Sequence, residues 1–565
     1  VGPPDSPPRR EPAGAHELGV DGVPSGRTIA ITTVSVALAA GAAGGGAWWY
    51  LHTRGTPQET AQRFTQAWQR GDLAAMRAEL GAPAPGFDQT YQDMNKGWAV
   101  ESTAVRLDAV RETGDGTAQA AYTATLKLRN VGEWSYSGTV DLAVVDRHWR
   151  VDWSPRAAHP DLAAGSSFAL KAGWPQRAAI TAAGGERIDG ADVSGSIQQL
   201  VGFLDKATAK DVKKLGSSYR TGDAIGRGGL QERFQQRLAG IPATEIRLVG
   251  ADKKSVKVLG KIDGEEGEPL ETTLDLRVHQ AAVGAVRDLE KTASMVVIKP
   301  STGEILSVVN NRGGFNRALD GNYPPGSTFK AITAVGLLGA GVDPGDRVTC
   351  PKDVNVGGLP IRNSGHAAYG SVTFSDSFAH SCNTTFAPLT KERLGADELV
   401  RTAELFGFNK RLDIGVPAAK GSFPRAESDA ELAAESFGQG RITASPLLMA
   451  SVAAAFADGT WRPPTLVPSV EQKIEPQALP DGVTAKMRPM MSAVVTRGTA
   501  KDAGLPPGTR GKTGTAEYGP AGDLKTHAWF IGFRGDLAFA VIVEDGKGGG
   551  SDAAPVAAAF LRALD

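Results

Sequence analysis

The chain has 565 residues, too many for one ordinary domain, so two to four are expected. Its 61 basic and 62 acidic side chains leave a formal charge of −1, without the basic excess of a nucleic-acid-binding protein. Two cysteines and eight histidines are scattered without metal-ligand spacing, so no metal or cofactor is expected.

Residues 1–27 are dense in Pro and Gly and poor in large apolar side chains, which reads as a disordered tail. From Ile29 to Leu51 no charged residue occurs, and the run ends Trp48-Trp49-Tyr50-Leu51. At about 1.5 Å per residue such a run spans a hydrocarbon core of roughly 30 Å, with the aromatics suited to its interface. A membrane helix over 28–52 is expected. Arg9, Arg10 and Arg27 favour a cytoplasmic N-terminus, although Asp5, Glu11, Glu17 and Asp21 share that stretch. The alternative is a cleaved signal peptide, for which Ala39 to Ala43 offers small residues. An uncleaved single-pass anchor in the cell membrane is the preferred reading, with everything after it outside the cytoplasm.

Thr56-Pro57-Gln58-Glu59 reads as a capping box with proline at the first helical position. Ala61, Phe64, Ala67 and Trp68 then share a helical face, and Gly71 closes the helix. Over 101–153 the period becomes two. Ala120, Tyr122, Ala124, Leu126 and Leu128 alternate, as do Val140, Leu142 and Val144, then Trp149, Val151 and Trp153. A helix followed by antiparallel strands predicts a small α+β cone over 53–162. Residues 163–290 are less regular, with helices expected near Ser196–Leu204 and Gln231–Ala239. In 291–565, the apolar runs around Pro300-Ser301-Thr302-Gly303 predict a hairpin. Ala528–Phe533 and Ala538–Val543 predict a second, and Ala553–Leu564 a final helix. The stretch between the hairpins is mostly helical.

Three short motifs in that last region carry chemistry. Ser327-Thr328-Phe329-Lys330 follows Pro324-Pro325-Gly326 and opens an apolar run, so Ser327 is expected at a helix N-terminus. There the dipole stabilises developing negative charge, and the i, i+3 spacing puts Lys330 beside the hydroxyl. Serine is a weak nucleophile and needs such a base, which a lysine becomes once desolvation and nearby positive charge lower its pKa. Ser381-Cys382-Asn383 lies in a helix–turn where alternate residues can face one cleft. Lys512-Thr513-Gly514-Thr515 begins a strand whose glycine admits a close substrate backbone. Alone, each has an ordinary reading: a capping serine, an Asx turn, an exposed Lys-Thr turn. In this order and flanked by hairpins they supply a nucleophile, proton handlers and an anion-binding strand.

This motif set resembles that of penicillin-binding proteins and serine β-lactamases. The likeness covers roughly 295–565, and Trp174-Pro175-Gln176-Arg177 resembles the start of the pedestal, or dimerisation, domain of class B penicillin-binding proteins. There the family's Asp-Arg pair is replaced by Ala182-Ala183. Trp149-Arg150-Val151-Asp152-Trp153-Ser154-Pro155 and His159-Pro160-Asp161-Leu162 resemble the nuclear-transport-factor-like N-terminal domain of methicillin-resistance-type members. The resemblance implies a multidomain α+β protein whose transpeptidase domain is a five-stranded sheet built from both ends of 291–565, with a helical lobe inserted.

It also implies a D,D-transpeptidase that cross-links peptidoglycan stem peptides through a serine acyl-enzyme and is acylated by β-lactams. Ser327 would be the nucleophile, Lys330 its base and Ser381 a proton relay. Asn383 would hold Lys330 and the substrate amide. Lys512, Thr513 and Thr515 would bind the substrate carboxylate beside Gly514, with the Ser327 and Thr515 N–H groups as oxyanion hole. Partners implied are stem peptides, β-lactams, the membrane and cell-wall synthesis proteins such as a glycosyltransferase. The rivals are a serine β-lactamase or β-lactam sensor, and a non-catalytic scaffold. The Glu-x-x-Leu-Asn element of a class A deacylating base is absent between 384 and 510. Phe437-Gly438-Gln439-Gly440, then Thr443-Ala444-Ser445-Pro446-Leu447, also resembles a stretch common in penicillin-binding transpeptidases and reads as a glycine-rich turn packing the helical lobe; the rival, a phosphate-cradling loop, lacks the strand–loop–helix context and the Lys-Ser/Thr ending. Cys350 and Cys382 are either a disulfide, worth about 3.7 kcal/mol for a loop of about 33 residues, or two buried thiols.

Overall fold

The computed structural model describes residues 55–565 apart from 217, 521 and 522. The tail and the anchor expected before residue 53 lie outside the described residues. Among the described residues no helix is long and apolar enough to cross a membrane. The chain forms two compact units.

The first runs to Leu128 and adds Glu133–Phe168 and Leu248–Val256. Helix α1 (Pro57–Gln69) begins at the expected capping box, in which Thr56 and Glu59 each accept the other's backbone N–H at 3.2 Å. Two shorter helices, α2 (Leu73–Ala78) and α3 (Phe87–Gly97), follow. A sheet ordered β1 (Val100–Gly114), β2 (Thr117–Leu128), β3 (Gly132–Val145) and β4 (His148–Asp152) completes the cone. The alternation in β2 buries Ala120, Tyr122, Ala124, Leu126 and Leu128. Inside the unit Trp68 of α1 packs edge-on against Tyr122 at 5.2 Å, and Phe64 lies 6.5 Å from Phe87. The Tyr122 hydroxyl donates to Ala157 O at 2.9 Å, satisfying its buried polar end.

In the second unit, the pedestal segment departs from the sequence reading. The helix expected near Ser196–Leu204 spans Gly195–Val201, because Gly202 at φ +84° turns the chain into a strand, Phe203–Lys206. The helix expected over Gln231–Ala239 is two, Gly229–Arg233 and Gln235–Ala239, broken at Phe234. Ile180, Ile197, Leu230, Leu238 and Leu270 join one core with Val296 and Phe329, so pedestal and transpeptidase segments are packed as one body.

Strands β5 (Ala293–Ile298) and β6 (Ile305–Asn310) form the first hairpin, turned at Gly303 with φ +82°. Strands β7 (Arg510–Tyr518), β8 (Lys525–Arg534) and β9 (Leu537–Val543) return from the far end of the chain. The sheet order is β6-β5-β9-β8-β7, which leaves β7 at an edge. Every residue of β5 is buried, as expected of strands covered on both faces. The covering helices are Leu276–Arg287, Pro446–Asp458 and Ala554–Arg562. Pro446–Asp458 is apolar nearly all round and almost wholly buried, which marks it as the central helix of the domain. Much of the remaining segment between β6 and β7 forms the inserted helical lobe.

Candidate active site

The nucleophile segment is tighter than its sequence predicts. Ser327 does not start an α-helix. It sits in a 3₁₀ turn, Gly326–Phe329, and the α-helix begins at Lys330 and runs to Gly339. In a 3₁₀ turn residues i and i+3 eclipse one another, which brings Lys330 directly over Ser327. The Lys330 Nζ lies 2.9 Å from Ser327 Oγ. Gly326 has φ +53°, and a Cβ there would stand 2.8 Å from Thr515 O, so the turn can press against β7 only without a side chain.

Ser381 joins helix Phe374–Ala379 to helix Asn383–Leu389 at φ +60°, a left-handed conformation costly for a serine. That single residue aims the Ser381 hydroxyl and the Asn383 amide at the same lysine. Lys330 Nζ donates to Asn383 Oδ1 at 2.5 Å and to Ser381 O at 2.8 Å, and lies 3.2 Å from Ser381 Oγ. Asn383 is itself held by donating to Arg362 O at 2.9 Å. Cys382, between them, is bonded to Cys350 with a Cα separation of 5.9 Å. Of the two readings open in the sequence, the disulfide is the one found.

From β7, Lys512 Nζ donates to Ser381 Oγ at 2.9 Å and to Thr513 O at 3.0 Å. Gly514 faces Pro325 O and Thr328, where a Cβ would approach to 3.0 and 2.9 Å. Thr515 follows, half-buried, beside Gly326. The structure thus brings Ser327, Lys330, Ser381, Asn383, Lys512, Thr513, Gly514 and Thr515 to one cleft between the sheet edge and the lobe.

Two lysines in one dry cleft repel each other's charge. Both are fully buried. Burial, and then the charge of Lys512, hold Lys330 well below the ordinary lysine range. Burial pushes Lys512 down to about 7. The rings of Phe386 and Phe437 lie 5.7 and 5.9 Å from Lys330 Nζ, and their faces partly offset the desolvation.

The sequence reading missed Thr499 and gave Gln439 no part in the site. Thr499 Oγ1 lies 2.5 Å from Thr513 Oγ1 and fixes that hydroxyl. Gln439 reaches β7, and the turn that carries it packs on the nucleophile segment rather than on the lobe alone, Gly326 N donating to Gly438 O at 2.9 Å.

Comparison with known proteins identifies the domains of the chain. Residues 293–562 match the penicillin binding protein transpeptidase domain, 56–166 the NTF2-like N-terminal transpeptidase domain and 193–272 the penicillin-binding protein dimerisation domain. The chain is 31% identical over 409 residues to peptidoglycan D,D-transpeptidase PbpA of Mycolicibacterium smegmatis, covering 61% of this chain and 78% of that one. It is 26% identical over 425 residues to peptidoglycan D,D-transpeptidase MrdA of Acinetobacter baumannii, covering 63% of this chain and 62% of that one. The crystal structure of Pseudomonas aeruginosa PBP2 in complex with WCK 5153 superposes with a TM-score of 0.59 at 25% identity, over 70% of this chain and 96% of that one. The chain belongs to the class B penicillin-binding proteins.

Proposed function

We propose that this chain is a serine-type peptidoglycan D,D-transpeptidase. The observation that carries the reading is Lys330 Nζ, buried and 2.9 Å from Ser327 Oγ, with Ser381 shared between Lys330 and Lys512. A neutral Lys330 accepts the Ser327 proton as Oγ attacks the carbonyl of the penultimate D-Ala. The Ser327 and Thr515 N–H groups receive the oxyanion. The C–N bond to the terminal D-Ala then breaks, and the proton passes from Lys330 through Ser381 to the departing amine. An acceptor amine on a neighbouring stem attacks the ester, Ser327 leaves and regains a proton, and the cross-link is made. Lys512, Thr513 and Thr515 bind the carboxylate of the donor. A β-lactam places a strained amide in the same geometry and acylates Ser327.

The anchor read over 28–52 would hold residues 53–565 outside the cytoplasm. The uncharged run supports this, and so does the Cys350–Cys382 disulfide, which belongs to an oxidising compartment. The membrane and a glycosyltransferase of the cell-wall machinery are the partners this location suits. Gel labelling with fluorescent penicillin tests the function. A stable stoichiometric label supports a transpeptidase, rapid loss of label a β-lactamase, and no label a scaffold.

A further inference from the structure

The glycine-rich turn 437–440 is not used by the chemistry above, yet it is stapled to the nucleophile segment at three levels. Tyr323 and Ala444 exchange backbone hydrogen bonds at 3.1 and 2.8 Å, Gly326 N donates to Gly438 O at 2.9 Å, and Thr333 Oγ1 donates to Ser436 O at 2.8 Å. From this turn Gln439 crosses to the edge of β7. Its amide nitrogen donates to Glu517 O at 3.3 Å and its oxygen accepts from Glu517 N at 2.9 Å, the orientation that satisfies both groups. A side-chain amide thus makes the pair of bonds that a neighbouring peptide strand would make.

Among the described residues, strand β7 has β8 on one side and no strand on the other. Along an antiparallel strand alternate residues turn their N–H and C=O to the same side, so Thr513, Thr515 and Glu517 share one edge. Glu517 faces Gln439, so this shared side is the free one. An extended donor peptide added there would pair with Thr515 and, two positions on, with Glu517. Gln439 already fills that second position.

We propose that Gln439 is a specificity-determining residue that ends the peptide-pairing edge at Thr515. This rests on the transpeptidase reading. The donor pairs with β7 only through its D-Ala-D-Ala portion, and the residue before it leaves the strand. The site therefore accepts stem peptides whose third residue is branched or already cross-linked, because that residue is not held flat against the sheet.

The test compares two ester donors, N-acetyl-D-Ala-D-lactate and the same depsipeptide extended at its N-terminus by Nα-acetyl-L-Lys, in the parent and in Gln439→Ala. Freeing the Glu517 N–H lets the acetyl carbonyl of the extended donor accept one further hydrogen bond, so its kcat/KM relative to the short donor rises about fivefold in the variant. Gln439→Asn, one methylene short, gives the same shift if Gln439→Ala fails to fold. A variant that folds and takes penicillin label with an unchanged donor ratio overturns the proposal alone. A parent that takes no penicillin label overturns it together with the transpeptidase reading.

Discussion

Lys330 and Lys512 converge on one hydroxyl: their Nζ atoms lie 3.2 and 2.9 Å from Ser381 Oγ, although 182 positions separate them in sequence (512 − 330). The helix after the nucleophile carries one and the edge strand carries the other. Ser381, in its left-handed conformation, lies within reach of both amines, and in the proposed reaction it completes a path from Ser327 through Lys330 to the leaving amine. The arrangement is unfavourable for folding, since it buries two lysine amines that carry a proton in water, and favourable for chemistry, since it depresses both pKa values.

In the proposed reaction Ser327 carries the acyl group. Ser327→Ala is expected to keep the thermal stability of the parent, because the side chain is half-buried and loses only its hydroxyl. It is expected to take no penicillin label. Stoichiometric labelling of a correctly folded Ser327→Ala would show that the nucleophile is elsewhere.

Lys512 links activity, stability and pH. Its pKa falls from 10.5 to about 7 on folding. Between these values the unfolded chain holds the proton and the folded chain does not, so stability rises with pH across that window. Below about 7 both states are charged and the burial penalty is complete. Lys512→Met removes the penalty. The variant is expected to melt higher than the parent below about pH 7, with the gap closing as pH rises, while its acylation by penicillin slows by roughly two orders of magnitude. Parallel Tm–pH curves for the two proteins would contradict the burial argument, and parent-rate acylation the carboxylate role.

Much of this was readable in the chain. The three motifs give the candidate nucleophile, the alternation gives the cone and the apolar runs the two hairpins, while the five-stranded sheet and the inserted lobe come from the family resemblance. What escaped reading depends on contacts between distant residues or on single dihedral angles. Gly202 ends a helix that composition alone would extend to Leu204. Thr499 looks like an ordinary loop residue, and Gln439 like part of a turn that packs the lobe, until Thr513 and Glu517 are brought beside them. The cysteine pair required a Cα separation that spacing does not supply.

The Cys350–Cys382 bond fastens the Ser381-Cys382-Asn383 turn to the hairpin region before it. Neighbouring bonds act in the same sense, Thr384 Oγ1 donating to Pro351 O at 2.7 Å and Asn363 Nδ2 to Pro351 O at 2.8 Å. Replacing both cysteines by serine is expected to cost up to about 3.7 kcal/mol, the chain-entropy value for a loop of this length. It is also expected to slow acylation, because Asn383 and Ser381 lose a fixed point. Two alkylatable thiols in the air-exposed folded protein would remove the basis of this prediction.

The anchor reading predicts that the full chain stays with membranes through high-salt and alkaline washes and is released by detergent. Protease added to intact cells without an outer membrane is expected to reach the domains after residue 53. A soluble mature protein beginning near Ala42–Ala47 would favour cleavage instead.

Gly438 and Gly440 offer a paired test of how the turn supports the nucleophile. Both have positive φ, +78° and +77°. They differ in their surroundings. A Cβ on Gly438 would stand 2.0 Å from Gly326 O and 2.8 Å from Phe329 Cβ, inside the nucleophile segment. A Cβ on Gly440 would meet nothing closer than Glu435 Cγ at 3.4 Å, an ordinary contact. Gly440→Ala therefore carries only the left-handed strain of about 1–2 kcal/mol. Gly438→Ala adds a clash with rigid backbone that pushes Gly326 toward Thr515 O, and is expected to destabilise by roughly 3–5 kcal/mol. Because Ser327 is the next residue, the acylation rate of any folded Gly438→Ala should fall far more than that of Gly440→Ala. Equal loss of stability and equal acylation rates in the two variants would show that the turn does not position Ser327.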